Sequence, residues 1–172
     1  LSLAGDADVV TRRIGNHYAH YARRDLQIAS TSFSASVFGK YRDLVETADL
    51  IHYHFPWPLA DILHLFGRGR KPSVVTYHSD VVRQRFLLPL YARLMHRFLN
   101  SVDVIVATSP PYAETSEVLA RYQAKVSVIP IGIGERNAPP GALVEDWRTR
   151  LGDGFFLFVG ALRYYKGLPF LL

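Results

Sequence analysis

An α/β fold with a doubly wound parallel sheet is the architecture that this 172-residue sequence predicts. From residue 49 onward, short β-type runs alternate with helical patterns, so that successive strands are separated by one helix. Such strands cannot pair through tight antiparallel turns, and the helices therefore act as right-handed crossovers between parallel strands. The runs are also rich in Val and Ile, as expected of strands that helices cover on both faces.

The elements of this sheet are predicted in a regular order. Pro58 and Pro110 each begin a helix, because proline is tolerated in a first helical turn. In the first part of the chain the pattern is weaker, and the candidates are strands at 8–11 and 26–30 and a helix at 41–47. Beyond these, the pattern predicts strands at 49–53, 73–77, 103–108 and 125–129, and helices at 59–66, 87–99 and 110–122.

The sequence changes character after the strand at 125–129. Turn-forming residues dominate 130–134 and 137–141, and a short helix is predicted at 143–150. An apolar strand at 155–159 follows, but one strand and an incomplete helix cannot bury a core of their own. We therefore expect the chain to be a piece of a longer protein, with a domain at 1–133, a linker at 134–154 and the start of a second domain at 155–172.

The composition excludes several classes of protein. Apolar residues make up 49% and charged residues 20% of the chain, which is typical of a globular protein and not of a disordered one. The absence of cysteine excludes a disulfide scaffold, a thiolate metal site and a cysteine nucleophile. No apolar run approaches the ~20 residues of a membrane-spanning helix, and the first residues lack the basic start of a signal peptide.

Positive charge is concentrated in residues 1–100, which carry the whole net charge of +5. Such an excess favours contact with anions, for example phosphates or lipid headgroups. One set of four arginines, between residues 83 and 97, is interleaved with leucine and phenylalanine residues. This pattern is typical either of a helix that rests on an anionic membrane or of an ordinary amphipathic helix with solvated arginines. No nucleic-acid-binding motif accompanies the set, which consists of Arg83, Arg85, Arg93 and Arg97.

Polar residues follow the strand predicted at 49–53. The carboxyl ends of strands are where ligands bind in an open parallel sheet. His54 and Trp57 come directly after the strand, and His52 lies two residues before His54. Both imidazoles therefore share one side of the extended chain. No third ligand stands at a spacing typical of a metal site, so no metal is predicted.

A second polar group follows the strand at 73–77 and consists of His78, Ser79 and Asp80. A histidine beside a hydroxyl and a carboxylate at a strand end can exchange protons with a sugar hydroxyl or a phosphate.

A third candidate site lies near the end of the chain, where Gly160 follows an apolar run and Lys166-Gly167 begins a helical pattern. Glycine allows the backbone to approach a phosphate, and lysine supplies a positive charge. The pattern therefore suits a phosphate group.

The order and spacing of these segments resemble those of glycosyltransferases of family 4. The resemblance covers about residues 45–172 and is closest to bacterial mannosyltransferase-type members that build lipopolysaccharide or exopolysaccharide. It rests on the stretches Asp49–Asp61 (DLIHYHFPWPLAD), Val74–Arg83 (VVTYHSDVVR), Ala107–Ser116 (ATSPPYAETS), Val126–Ile133 (VSVIPIGI) and Phe158–Gly167 (FVGALRYYKG).

The resemblance implies a retaining transferase with two Rossmann-like domains, the GT-B fold. The chain would hold most of the N-terminal domain without its first strand, and would be inactive by itself. The implied donor is a nucleotide-diphosphate sugar, with GDP-mannose favoured, bound between the two domains. The implied acceptor is lipid-linked or an oligosaccharide. No cofactor, required metal or nucleic acid is implied, and the expected location is the cytoplasm, with peripheral contact to the inner membrane.

The resemblance also implies roles for individual residues. His78 falls on the histidine near the reaction centre, and Lys166 on the lysine that binds the donor phosphates. The family's arginine after the glycine is replaced by Ala161, and Arg163 is the candidate substitute. Gly160 and Gly167 complete the donor-phosphate loop. The acceptor side is assigned to His54, Trp57, Ser79 and Asp80, and a membrane-facing side to Arg83, Arg85, Arg93 and Arg97.

Two alternatives from other classes stay open. A nicotinamide-dependent oxidoreductase needs a Gly-x-Gly-x-x-Gly turn after its first strand, and this sequence contains none. A non-catalytic module that binds anionic membranes would use the basic helix alone and would bind liposomes without binding a nucleotide sugar.

Overall fold

The computed structural model describes residues 1–4, 10–28, 31–67, 71–81, 88–134, 138–160 and 166–171. It divides into two compact units, Leu1–Ile131 and Gly132–Leu172. In chain order the elements are β1 (Ser2–Ala4), β2 (Val10–Ile14), β3 (His17–Arg23), β4 (Leu26–Ile28), β5 (Thr31–Phe33), α1 (Ser36–Thr47), β6 (Ile51–Phe55), α2 (Pro58–Phe66), β7 (Ser73–Tyr77), α3 (Leu88–Ser101), β8 (Val104–Ala107), α4 (Pro110–Thr115), a 3₁₀ helix (Leu119–Lys125), β9 (Val126–Val128), α5 (Gly141–Leu151) and α6 (Leu168–Leu171).

The first unit contains a four-stranded, all-parallel sheet with the strand order β6-β7-β8-β9. Each strand follows its neighbour in the chain, and helices lie between them, as right-handed crossovers require. The predicted α/β fold with a parallel sheet is therefore confirmed. Asp103 joins two of the strands at their start, because one carboxylate oxygen accepts hydrogen bonds from the backbone N–H and the hydroxyl of Ser73, at 2.7 and 3.0 Å.

Three predicted boundaries were wrong. The helix predicted at 41–47 corresponds to α1, which begins five residues earlier, at Ser36. β6 begins two residues later than predicted, at Ile51, and continues to Phe55, because it pairs with β7 along its full length. The helix predicted at 110–122 ends at Thr115 and is followed by a separate 3₁₀ helix. Ser116 lies at the break with an extended backbone, and its hydroxyl donates to Asp80. Ser109 caps the start of this helix, since its Oγ accepts from the backbone N–H of Tyr112.

The N-terminal region contains an antiparallel hairpin that the sequence analysis did not predict. β2 pairs with β3 across a turn at Gly15, which has a φ of 57°, and β1 pairs in parallel with the other edge of β3. The candidate strand at 8–11 corresponds to β2, which begins at Val10, and that at 26–30 corresponds to β4, which pairs with β5. The Gly15-Asn16 pair is a signal for such a hairpin.

The core of the first unit is formed where helices α1, α2 and α3 pack on the sheet. The apolar side of α3 faces this core, since Met95, Phe98 and Leu99 are buried while Arg93 and Arg97 are exposed. Over the described side chains of α3 this arrangement agrees with the ordinary amphipathic helix, with Arg93 and Arg97 on its exposed side. The largest fully buried apolar side chains are Tyr77, Phe55, Phe98, Leu59, Leu63, Leu99 and Ile105.

The second unit contains α5 and α6, and α5 corresponds to the helix predicted at 143–150. The strand predicted at 155–159 was wrong, because these residues pair with no other strand that the structure describes. A strand needs a partner with which to pair, and the described part of this unit holds no other strand. The side chain of Phe156 is 94% exposed as a result. The predicted domain boundaries, including a second domain at 155–172, stay predictions.

Candidate functional site

Two histidines meet at the carboxyl edge of the parallel sheet. His54 lies near the end of β6 and His78 directly follows β7, and both are exposed. His54 Nδ1 and His78 Nε2 share a hydrogen bond of 2.8 Å, and the two ring planes are nearly parallel, at 9°, with centroids 5.2 Å apart. The sequence analysis assigned both residues to the site from their strand-end positions, but it did not predict that they bind each other.

The alternation of β6 determines which side chains reach this edge. Tyr53 and Phe55 are buried in the core, so His52 and His54 point to the opposite face. Phe55 stacks on Tyr77, the residue directly across in β7, with ring centroids 4.5 Å apart. This stack lies on the core side of the same strands, so the register that buries the two aromatic rings also exposes the histidines.

A backbone hydrogen bond extends the pairing of β6 and β7 by one residue. The backbone N–H of His78 donates to the carbonyl oxygen of Phe55 at 3.0 Å. His78 is therefore held by the sheet itself and not by a loop alone. This bond places the His78 side chain beside that of His54.

A third imidazole packs beside this pair. The rings of His52 and His54 stack with centroids 4.8 Å apart, on the one side of the strand that their spacing predicted. His52 Nε2 shares a hydrogen bond of 2.8 Å with the hydroxyl of Thr76, so this nitrogen is occupied. Burial lowers the pKa of His52, and so do the neighbouring charges of His54 and His78. Burial likewise lowers the pKa of His78, with a further contribution from His54. Both imidazoles are therefore predominantly neutral at neutral pH.

The loop that follows β7 is attached to the turn after α4 through Asp80. Asp80 Oδ1 accepts hydrogen bonds from the hydroxyls of Tyr77, at 2.9 Å, and Ser116, at 3.0 Å. Ser116 Oγ also accepts from the backbone N–H of Leu119 at 3.3 Å. Asp80 is thus tied to the end of β7 and to the turn after α4, while Ser79 is exposed. The predicted acceptor-side role of Ser79 and Asp80 stays a prediction.

His54 and Trp57 also line a cavity of about 470 Å³ beside β6. Trp57 is half-buried at the start of α2, and the cavity wall is otherwise mainly apolar. The acceptor-side role predicted for these two residues is not tested by this geometry. The further lining residues include Leu3, Tyr41, Val45, Ile51 and Leu63.

The predicted donor-phosphate residues belong to the second unit. Lys166 is exposed, and Gly167 has a φ of 70°, which favours glycine, directly before α6. Gly160 follows the apolar segment at 155–159, whereas Arg163 lies outside the described residues. The four-residue α6 is too short to support a phosphate site by itself. The phosphate-binding role of these residues therefore stays a prediction.

The predicted membrane-facing residues are only partly described. Arg93 and Arg97 are exposed one turn apart on α3, and Arg83 and Arg85 lie outside the described residues. Arg121 extends this basic side, since its guanidinium lies 3.4 Å from Nε2 of His96. No salt bridge pairs these three arginines with a carboxylate of the described residues.

The buried carboxylate of Asp61 was not predicted from the sequence. Asp61 is 1% exposed on α2, and its Oδ2 accepts a hydrogen bond of 2.6 Å from the hydroxyl of Tyr91 on α3. Burial raises the pKa of Asp61 to about 7, although the hydrogen bond from Tyr91 opposes this shift. Because it is enclosed, Asp61 links two helices and does not meet a ligand.

Neither a metal centre nor a membrane span is found in the part of the chain that the structure describes. Within the described ranges, no three histidine or acidic side chains are grouped so as to hold a metal ion. Among the described helices, none combines the length and apolar character needed to cross a bilayer.

Comparison with known proteins identifies the relatives of this chain. The model of Glycosyltransferase Family 4 matches residues 6–135. The chain is 53% identical to "D-rhamnosyltransferase WbpZ" of Pseudomonas aeruginosa over 174 residues, which cover 100% of this chain and 46% of that protein. It is 47% identical to "O-antigen chain mannosyltransferase C" of Escherichia coli over 158 residues, which cover 91% of this chain and 43% of that protein. The chain thus spans a little less than half the length of these relatives. No solved structure matches it.

Proposed function

Because this chain belongs to glycosyltransferase family 4, we propose that its protein transfers a hexose from a nucleotide-diphosphate sugar to a lipid-linked or oligosaccharide acceptor, with retention at the anomeric carbon. The product would be a cell-surface polysaccharide, as the name of the O-antigen chain mannosyltransferase suggests. The observation that carries the proposal is the His54–His78 pair at the carboxyl edge of the parallel sheet, where ligands of such sheets bind.

The proposed donor sugar has the configuration of mannose. One relative is named a mannosyltransferase and the other a D-rhamnosyltransferase. D-Rhamnose is mannose without the hydroxyl at C6, so the two sugars share the arrangement of their ring hydroxyls. A nucleotide-diphosphate sugar of this configuration, with GDP-mannose as the first candidate, is the donor that fits both relatives.

The proposed chemistry is mainly electrostatic. The bond between the anomeric carbon and the diphosphate breaks, so positive charge develops on the sugar and negative charge on the leaving phosphate. Lys166 and Arg163 would supply positive charge to the diphosphate, with Gly160 and Gly167 allowing the backbone to approach. The predominantly neutral His78 would hydrogen-bond to sugar hydroxyls, and no cofactor or metal is required by these steps.

The proposed acceptor side is the carboxyl edge of the sheet around β6 and β7. His54, Trp57, Ser79 and Asp80 lie there and offer an aromatic surface together with hydrogen-bonding groups. An acceptor on a lipid carrier would bring the protein to the cytoplasmic face of the inner membrane. The exposed Arg93 and Arg97 would then contact anionic headgroups through charge alone.

The experiment that tests this function is a ligand panel on the intact protein. Ligands that bind the native state raise its melting temperature. We expect GDP-mannose and GDP-D-rhamnose to raise the melting temperature more than UDP-glucose or ADP-glucose does. Stabilisation by a nicotinamide dinucleotide but by none of the nucleotide sugars would contradict the proposal and would favour an oxidoreductase.

A transfer assay provides the second arm of the test. We expect His78→Ala to reduce transfer of the sugar by at least about tenfold, because a hydrogen bond to the substrate is lost. His20→Ala is the matched control, since His20 lies in β3, which belongs to a separate sheet from β6 and β7. Equal activity of the wild type and the His78→Ala variant would contradict the assignment of His78.

A further inference from the structure

The hydrogen bond between His54 and His78 determines which of their nitrogen atoms can bind a ligand. His54 uses Nδ1 and His78 uses Nε2 in this bond. The nitrogens that stay available are Nε2 of His54 and Nδ1 of His78. Both residues are exposed, so these nitrogens belong to side chains that solvent reaches.

The shared bond also couples the protonation of the two rings. A neutral imidazole carries its proton on one of its two nitrogens. If His54 donates through Nδ1, its Nε2 is an acceptor, and His78 must carry its proton on Nδ1 as a donor. If His78 donates through Nε2, its Nδ1 is an acceptor, and His54 carries its proton on Nε2 as a donor. In both cases the two rings have the same tautomer.

We propose that His54 is a positioning residue that couples its tautomer to that of His78, and that the pair binds two neighbouring hydroxyl groups of one sugar ring. This inference rests on the proposed function, because it takes a sugar as the ligand. The coupled pair always presents one donor and one acceptor, whereas two independent histidines could present two donors or two acceptors.

Neighbouring hydroxyl groups match such a pair because each hydroxyl can donate one hydrogen bond and accept another. One hydroxyl donates to the unprotonated nitrogen while the other accepts from the protonated one. In the other tautomer of the pair each ring carries its proton on Nε2 instead of Nδ1, so the two hydroxyls exchange the roles of donor and acceptor and both hydrogen bonds are kept. The burial that lowers the pKa of His78 supports this arrangement, because it favours the neutral ring.

His52 contributes packing but no free Nε2 to this arrangement. Its ring stacks on that of His54, and its Nε2 is bonded to Thr76. It therefore restrains the His54 ring by packing against it. Because it makes no hydrogen bond to His78, His52 is the matched control for His54.

The first test is nuclear magnetic resonance of the intact protein with isotope-labelled histidine, which reports the tautomer of each ring. We expect the same tautomer for His54 and His78 in the wild type. His54→Phe keeps the stacked ring but removes the hydrogen bond, so we expect His78 to populate both tautomers. His54→Asn restores a polar group near the position of Nδ1 and is expected to restore one tautomer.

The control for this test is His52→Phe. We expect this variant to leave the tautomer of His78 as it is in the wild type. Different tautomers for His54 and His78 in the wild type would overturn the coupling. An unchanged His78 tautomer in the His54→Phe variant would also overturn it. Because these spectra require no sugar transfer, their outcome is independent of the proposed function.

The second test measures the binding of three ligands to the same variants. We expect His54→Phe to weaken the binding of either the nucleotide sugar or the acceptor oligosaccharide by about tenfold, the effect of one lost hydrogen bond. The ligand affected identifies the sugar that the pair binds. Binding of the nucleoside diphosphate, which has no sugar to transfer, is expected to stay unchanged.

Unchanged affinity for both sugars would overturn the role of the pair in binding hydroxyls. An equal loss for the nucleoside diphosphate would also overturn it, since the effect would then not depend on the sugar. If the wild type binds neither sugar, the proposed function and the hydroxyl assignment both fail, whereas the spectra still decide the tautomer coupling.

Discussion

The hydroxyl of Tyr91 on α3 donates a hydrogen bond of 2.6 Å to the carboxylate of Asp61 on α2. Asp61 is almost fully buried, and its burial raises its pKa to about 7. The protonated acid can be enclosed at little cost, whereas the carboxylate loses its solvation. This bond therefore connects the two helices in a manner that depends on pH.

The first prediction follows from the raised pKa of Asp61. The folded state binds a proton in a range where the unfolded state has lost it, so the contribution of Asp61 to stability falls as the pH rises from about 4 to about 7. We expect Asp61→Asn to remove this slope and to increase the free energy of unfolding above pH 7 by up to about 4 kcal/mol relative to the wild type. Urea unfolding at pH 5 and pH 8 measures it, with the exposed Asp49→Asn as control. A slope that survives in Asp61→Asn would contradict the prediction.

The second prediction concerns Asp103, whose contribution to stability depends on pH in the opposite direction. The hydrogen bonds from the backbone N–H and hydroxyl of Ser73 lower the pKa of Asp103. Its contribution to stability is therefore present above the pKa of the unfolded state and is lost as the pH falls through the lowered pKa. We expect Asp103→Asn to lose less stability than the wild type on acidification below about pH 4. Unfolding curves at a series of acidic pH values measure this, and parallel losses in both proteins would disprove it.

The third prediction concerns Ser116, which is buried and joins the loop after β7 to the 3₁₀ helix. Ser116→Ala removes the hydrogen bond to Asp80 and leaves the backbone N–H of Leu119 without this acceptor. We expect the free energy of unfolding to fall by about 1–3 kcal/mol. Ser127→Ala, at an exposed position of β9, is the control and should change stability little. A loss no greater than that of the control would contradict the role of Ser116.

The fourth prediction tests the basic side of α3. Reversing the charge of Arg93 and Arg97 to glutamate is expected to weaken binding to vesicles that contain phosphatidylglycerol by at least about tenfold, since each basic residue near such a surface contributes about 1 kcal/mol. The control is the same double reversal at Arg148 and Arg150, which are paired with Glu145 and Asp146 in α5. Equal vesicle binding by the α3 variant and the wild type would show that these arginines are only solvated.

The fifth prediction separates the donor from the acceptor. We expect Lys166→Ala in the intact protein to weaken nucleoside-diphosphate binding by about tenfold or more, because a charge-assisted contact with phosphate is lost. Acceptor binding should change little. Calorimetric titration with each ligand measures both affinities, and Lys40→Ala on α1 serves as the control. Equal losses for the two ligands would argue against a phosphate role for Lys166.

The parallel sheet could be predicted from the sequence because its strands are short, apolar and separated by helices. The boundary of β6 could not, since the polar His52 and His54 lie within the strand and are tolerated only because they face away from the core. The break at Ser116 was missed for a similar reason. It depends on a hydrogen bond to Asp80, which is distant in sequence.

The hairpin of β2 and β3 was missed because its strands carry many polar residues, such as Arg12, Arg13 and His17, without the alternation that marks a buried face. The apolar segment at 155–159 had the composition of a strand but has no partner among the described residues of its unit. Composition indicates which residues can form a strand, whereas pairing decides whether they do.

The position of the site residues could be predicted more readily than their interactions. Strand-end positions indicated His54 and His78, but their hydrogen bond depends on the register of β6 and β7. That register follows from the burial of Phe55 and Tyr77, which lie directly opposite each other. A one-residue slip would exchange the buried and exposed faces of the strand.

The backbone bond from His78 to Phe55 has a consequence for the evolution of this surface. The positions of both imidazoles are determined by main-chain pairing and by the aromatic rings on the opposite face of the sheet. New side chains can therefore be introduced at 54 and 78 while the scaffold beneath them is preserved. Substrate preference can diversify at this rim through surface substitutions, without the repacking that changes in an interior usually demand.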